Sequence, residues 1–118
     1  MSKRRSSARP KPLQSFAPVF AALGDDVRLT LVAALCVGGA MSITQLTSGT
    51  EISRQAITKH LGVLAAAGLV RDVKIGRERL WEFEPGQLEE ARRTLELIGQ
   101  QWDHALSKLK LAVESDPS

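Results

Sequence analysis

A chain of 118 residues fits one domain. With 43% hydrophobic and 25% charged residues it is expected to fold, and with three Phe, two Trp and no Tyr its core must be largely aliphatic, which favours helix over sheet. The net charge of +3 is unevenly spread, no apolar run reaches the roughly 18–20 residues of a membrane span, and the single cysteine, Cys36, excludes an internal disulfide and a multi-cysteine zinc site and suits a reducing cytoplasm.

Residues 1–12 hold Lys3, Arg4, Arg5, Arg9 and Lys11 with no acid, together with Pro10 and Pro12. They read as a disordered basic arm ahead of a folded unit over 13–118. No compact apolar stretch with a cleavage site follows, so a secretory signal is not expected.

Leu13, Phe16, Val19, Phe20 and Leu23 step by three and four, which predicts a short helix over 13–23 stopped by Gly24. Asp25 then suits the N-cap of a helix over about 26–37, with Val27, Leu31, Val32, Leu35 and Cys36 as its buried stripe and Gly38-Gly39 at its end. Met41 to Ile43 is expected to be extended. Thr44 is expected to cap a brief helix holding Leu46, and Ser48-Gly49-Thr50 to turn. A helix over 52–67 follows, with Ile52, Ala56, Ile57, Leu61, Leu64 and Ala65 at helical spacing and Gly68 as its stop.

Leu69–Ile75 and Arg79–Phe83 have strand character around a tight Gly76-Arg77-Glu78 connection, with Val73, Ile75, Leu80 and Phe83 available for packing. After Pro85-Gly86 comes a long helix over about 87–114. Leu88, Leu95, Trp102 and Leu109 recur every seven residues there, with Ala91, Ile98, Ala105 and Ala112 in the second apolar position. That is a coiled-coil-like seam, interrupted by Gly99. The predicted class is mainly α with a small β-hairpin: a winged helix-turn-helix with a long C-terminal dimerisation helix.

This order has a physical logic. A helix presented by a compact core can enter the major groove of DNA, and a basic hairpin can touch the neighbouring phosphates. Segment 52–79 holds six basic residues against two acidic ones, whereas 80–118 holds four against eight. If Ile52, Ala56, Ile57, Leu61 and Leu64 face inward, Ser53, Arg54, Gln55, Thr58 and Lys59 face outward. Gln suits adenine, and Arg or Lys suits guanine or phosphate. The plainer reading of such a face is a solvated helix surface. Lys74, Arg77 and Arg79 make the hairpin basic and are expected near phosphate or the minor groove.

Three stretches carry a family resemblance. Phe20 to Leu35 (FAALGDDVRLTLVAAL), Ile52 to Val70 (ISRQAITKHLGVLAAAGLV) and Gly76 to Trp81 (GRERLW) resemble the opening, recognition helix and wing of the ArsR-type winged-helix regulators, over roughly residues 16–112. The resemblance implies a dimeric transcriptional regulator, usually a repressor that leaves double-stranded DNA on receiving an inducing signal. It places Ser53, Gln55, Thr58 and Lys59 on the DNA-reading face. His60 stands where that family commonly has a histidine. It is counted with the DNA-facing set, although packing or hydrogen bonding that fixes the recognition helix is the plainer role.

The homodimer interface is expected to use Phe16, Phe20, Leu88, Leu95, Ile98, Trp102 and Leu109. Many members of the family bind metals on the helix before the recognition helix, but Ile43 to Ser48 has no Cys, His, Asp or Glu. The final helix offers only Asp103, His104 and Glu114 near the second known location. No metal, cofactor or catalytic residue is therefore expected. Cys36 reads as a buried, inert thiol. The competing function is a winged-helix protein-interaction module that reads no DNA.

Overall fold

The computed structural model describes residues 11–114. The basic arm expected over 1–12 lies, up to residue 10, outside the described residues. Lys11 rests beside the long final helix: its carbonyl accepts from Thr94 Oγ1 at 3.1 Å, and its Nζ lies 3.1 Å from Glu90 Oε1.

A 3-10 turn, Leu13–Phe16, leads into α1, Ala17–Leu23. The single helix expected over 13–23 is thus two pieces. Pro18 explains where α1 begins: it lacks an N–H and is tolerated only in a first helical turn, where it sits. α2 spans Asp26–Gly38, and Asp25 caps it as expected by accepting from the Arg28 backbone N–H at 3.0 Å. That bond is the main cause of the Asp25 carboxyl being held below its usual pKa.

α3, Ile43–Thr47, starts one residue after Ser42 rather than after Thr44. Ser42 and Gln45 form a reciprocal capping box, with Gln45 N–H on Ser42 Oγ at 3.2 Å and Ser42 N–H on Gln45 Oε1 at 2.9 Å. The extended segment expected from Met41 reduces to one bridge, Met41 to Trp81. α4 spans Arg54–Ala66, with Ser53 as its cap.

Gly68 then turns the chain at φ +79, where a side chain would be strained and a Cβ would stand 3.0 Å from Gln87 Cγ. β1, Val70–Ile75, pairs antiparallel with β2, Glu78–Phe83, and Ile75 faces Glu78. The loop is therefore two residues, Gly76-Arg77, with Gly76 at φ +63. α5, Gly86–Glu114, completes the chain.

The core gathers one face of each element. Ile57, Leu61 and Leu64 of α4, with Leu69, are almost wholly excluded from solvent. Truncating any of these leucines to Ala is worth about 2–5 kcal/mol. The hairpin buries a different set from the one expected. Val70 pairs with Phe83 and Asp72 with Trp81, so Val70, Trp81 and Phe83 share the inward face. Val70 and Trp81 are buried and Phe83 packs beside them, whereas Ile75 is 56% exposed near the tip.

Two further expectations are corrected. Phe16, assigned to the dimer interface, is 1% exposed and belongs to the protomer's own core. Cys36, expected to be buried, is exposed near the end of α2. The helical period turns Leu31, Val32 and Leu35 inward and carries Cys36 past the edge of that stripe.

Candidate nucleic-acid interface

α4 divides cleanly. Ile57, Leu61 and Leu64 anchor it from inside, and Ser53, Arg54, Gln55, Thr58 and Lys59 are exposed along a shallow open depression. The first turn contains no acidic residue, so the positive end of the helix dipole is unopposed within it.

These outward residues differ in how free they are. Ser53 Oγ accepts from the Ala56 N–H at 3.1 Å, so it is first of all the helix cap. Arg54 donates to Thr44 Oγ1 at 2.8 Å and ties α4 to α3. Thr58 Oγ1 donates back to the Arg54 carbonyl at 2.8 Å. Among the described residues, the side chains of Gln55 and Lys59 have no polar partner. They are the two long polar side chains of this face that are available to a ligand without breaking a bond.

The wing shows the same division. Lys74 and Arg77 are exposed and have no partner among the described residues. Arg79 is held: Nε and NH2 donate to Asp72 Oδ2 at 2.8 and 2.7 Å, and its guanidinium lies 5.5 Å from the Trp81 ring centre. Sequence reasoning grouped Arg79 with the free bases. The two-residue turn could have shown otherwise, because it places Lys74 opposite Arg79 and Asp72 diagonally beside it on one face.

His60, counted among the DNA-facing residues, is turned away from the open face. Its Nδ1 lies 3.2 Å from Arg28 NH1 and 3.8 Å from Asp25 Oδ2, at the start of α2. Arg28 was not singled out in the sequence. No local signal links positions 28 and 60, because only packing brings α2 and α4 together.

A second exposed surface is apolar. Leu95, Trp102 and Leu109 on α5 are 46%, 63% and 60% exposed, and Phe20 on α1 is 39% exposed. Ile98 is half-buried, and Leu88 packs partly against the core. The seven-residue reading missed Leu106 and Val113, which are also exposed and widen the same stripe by one position. Among the described residues, no three His, Cys, Asp or Glu side chains converge as metal ligands, and no helix is long and apolar enough to cross a membrane.

The helix-turn-helix, its basic hairpin and the polar outer face of α4 together define a winged-helix DNA-binding protein. The helix-turn-helix domain family matches residues 23–73. The chain is 30% identical over 95 residues to the HTH-type transcriptional regulator Rv2034 of Mycobacterium tuberculosis, spanning 80% of this chain and 85% of that protein. It is similar to the solved structure of an ArsR-like transcriptional regulator from Rhodococcus sp. RHA1, at 41% identity and a TM-score of 0.78, over 87% of this chain and 96% of that one. It shares its fold, at 22% identity and a TM-score of 0.58, with a structure from Mycobacterium bovis described as a homodimeric winged helix-turn-helix DNA-binding domain; 81% of this chain and 85% of that one are covered. The chain belongs to the ArsR-type family of winged-helix transcriptional regulators.

Proposed function

We propose that this regulator is a homodimeric repressor that acts in the cytoplasm, without catalysis, by reading an inverted-repeat operator in double-stranded DNA. The observation that carries this reading is the pairing of two open surfaces on one protomer. One is the α4 face with free Gln55 and Lys59, and the other is the apolar stripe of α5. Two copies joined along the stripes would present two recognition helices to successive major-groove segments about one DNA turn, roughly 34–36 Å, apart. The M. bovis neighbour, described as homodimeric, supports that assembly.

In this arrangement Gln55 and Lys59 read bases. Ser53, Arg54 and Thr58 contribute through their remaining hydrogen-bonding capacity. Lys74 and Arg77 meet phosphates, and Arg79 joins them by its N–H groups not used by Asp72. An inducing signal of unassigned chemistry would release the DNA. Selection of bound duplexes from a random pool, with sedimentation of the free protein, tests the whole reading. Enrichment of a two-fold-symmetric sequence by a dimer is the expected result. Absence of any enriched sequence would leave the winged helix as a protein-interaction module and overturn the proposal.

A further inference from the structure

The corner between α1 and α2 holds polar contacts that the DNA face does not use. Arg28 Nε donates to the Ala22 carbonyl of α1 at 2.6 Å, and Arg28 NH1 lies 3.2 Å from Nδ1 of His60 on α4. A guanidinium has five donors and no acceptor. The contact therefore needs a lone pair on Nδ1, and the neutral ring carries its proton on Nε2. Asp25 Oδ2 accepts from the Arg28 backbone N–H and stands 3.8 Å from the same Nδ1. The site is partly open to solvent: the His60 and Asp25 side chains are 23% and 35% exposed. One guanidinium thus joins three helices, α1 through a carbonyl, α2 through its own backbone and α4 through a ring nitrogen.

We propose that Arg28 and His60 are positioning residues for DNA reading: they set α4 against the α1–α2 corner, and sequence-selective binding requires His60 Nδ1 to be unprotonated. The inference rests on α4 being the DNA-reading helix. His60 follows Thr58 and Lys59 directly, so releasing its tether shifts the face that carries them. Protonation removes the acceptor lone pair and sets a second cation against the guanidinium. The nearest counter-charge is the Asp25 carboxylate, which is held ionised by the bond it accepts from Arg28. The ring then exchanges Arg28 for Asp25, and the link from α4 to α1 is lost. Among the described residues, α1 and α3 contain no ionisable side chain, α2 adds only the exposed Asp26 at this end, and α4 adds the exposed Arg54 and Lys59. β1, which also packs on α4, carries Arg71 and Asp72, each paired within the hairpin, and the exposed Lys74.

The test uses the full-length protein, a duplex selected from a random pool at about pH 7.5, and a shuffled duplex of the same composition. The quantity read is the ratio of the two affinities from about pH 7.5 to about pH 5.5, because an added cation strengthens binding to both duplexes whereas lost positioning weakens only the specific one. The wild-type ratio is expected to fall as the pH is lowered, by at most about tenfold per pH unit, the slope of one linked proton. His60→Asn keeps an acceptor near Nδ1 and cannot gain a proton, so its ratio should stay constant. His104→Asn should follow the wild type. Arg28→Lys should lower the ratio at every pH, because an ammonium on one stem cannot reach the carbonyl and the ring together. If circular dichroism shows Arg28→Lys to be unfolded, the His60→Asn profile decides alone. A wild-type ratio that does not change with pH, or a parallel fall in His60→Asn, overturns the proposal. Failure of the wild type to enrich any duplex at about pH 7.5 overturns the DNA-reading function as well, and is seen before any variant is made.

Discussion

The two halves of α5 share one seven-residue repeat and meet opposite fates. In the first half, Ala91 is 1% exposed, Thr94 is 6% exposed and Leu88 packs on the core. From Gly99 to Glu114 every residue is exposed, including Trp102, Leu106 and Leu109. The helix has 29 residues, about 43 Å of rise, and its first half alone is in reach of the domain that precedes it. A hydrophobic repeat therefore records that a helix needs a neighbour, but not whether that neighbour is its own chain or another.

The sharpest way to break this comparison is to place the same charge at equivalent positions in the two halves. Ala91→Glu puts an unpaired carboxylate in the core and should cost about 3–5 kcal/mol, enough to abolish cooperative folding in a thermal melt. Ala105→Glu occupies the same position two repeats later and should leave the protomer's fold intact. Equal melting behaviour in the two variants would mean that the halves do not differ as described.

Trp102→Glu asks what the second half is for. It should leave helix content unchanged but yield monomers by sedimentation at micromolar concentration. Operator affinity should drop about tenfold or more, since the two recognition helices would no longer bind as one unit. A wild-type protein that is monomeric at that concentration, with tight operator binding, would detach the exposed stripe from DNA reading.

Gln55→Ala and Lys59→Ala should do the converse. Each should preserve the dimer and the melt but weaken operator binding by about 1–3 kcal/mol, read by titration at fixed salt. Neither side chain has a polar partner among the described residues, so no internal bond is lost with it. Unchanged affinity in both variants would remove them from the reading face.

Smaller effects sharpen the boundary between the halves. Thr94→Val removes the bond to the Lys11 carbonyl and should cost about 1 kcal/mol in a denaturant titration. Gly99→Ala lies at the border, where an added Cβ meets nothing within 4 Å in the protomer. It should raise stability by up to about 1 kcal/mol through helix propensity. A lowered melting temperature would instead place a neighbouring chain against that glycine.

Much of the architecture was legible because it depends on short-range chemistry. Asp25 was identified as a cap, the glycines as stops, and Ile57, Leu61 and Leu64 as the inner face of α4, all from residues within a few positions of one another. The errors have both local and long-range causes. Ser42 and Thr44 are both competent caps, and the reciprocal bond to Gln45 decided for Ser42. Trp81 was passed over in favour of Ile75 because strand alternation fixes two faces without saying which one meets the core. The Met41–Trp81 bridge and the antiparallel register show that the Trp81 face does.

The sequence by itself determined the order of elements, the polar outer face of α4, the basic wing and the apolar repeat of α5. Each depends on backbone conformation and on side-chain period along one element, which adjacent residues specify. Only the tertiary structure decided which apolar and polar groups are already satisfied. Phe16 and Phe20 are both apolar residues of one short segment, yet one fills the core and the other is exposed. Arg77 lies in the hairpin turn and Arg79 two residues beyond it, yet among the described residues only Arg79 is paired with an acid. His60 finds its partner 32 residues away, across the contact between α4 and α2. Such pairings depend on distances between elements. Those distances are set when several hydrophobic faces close on one core, and no single stretch of the chain encodes them.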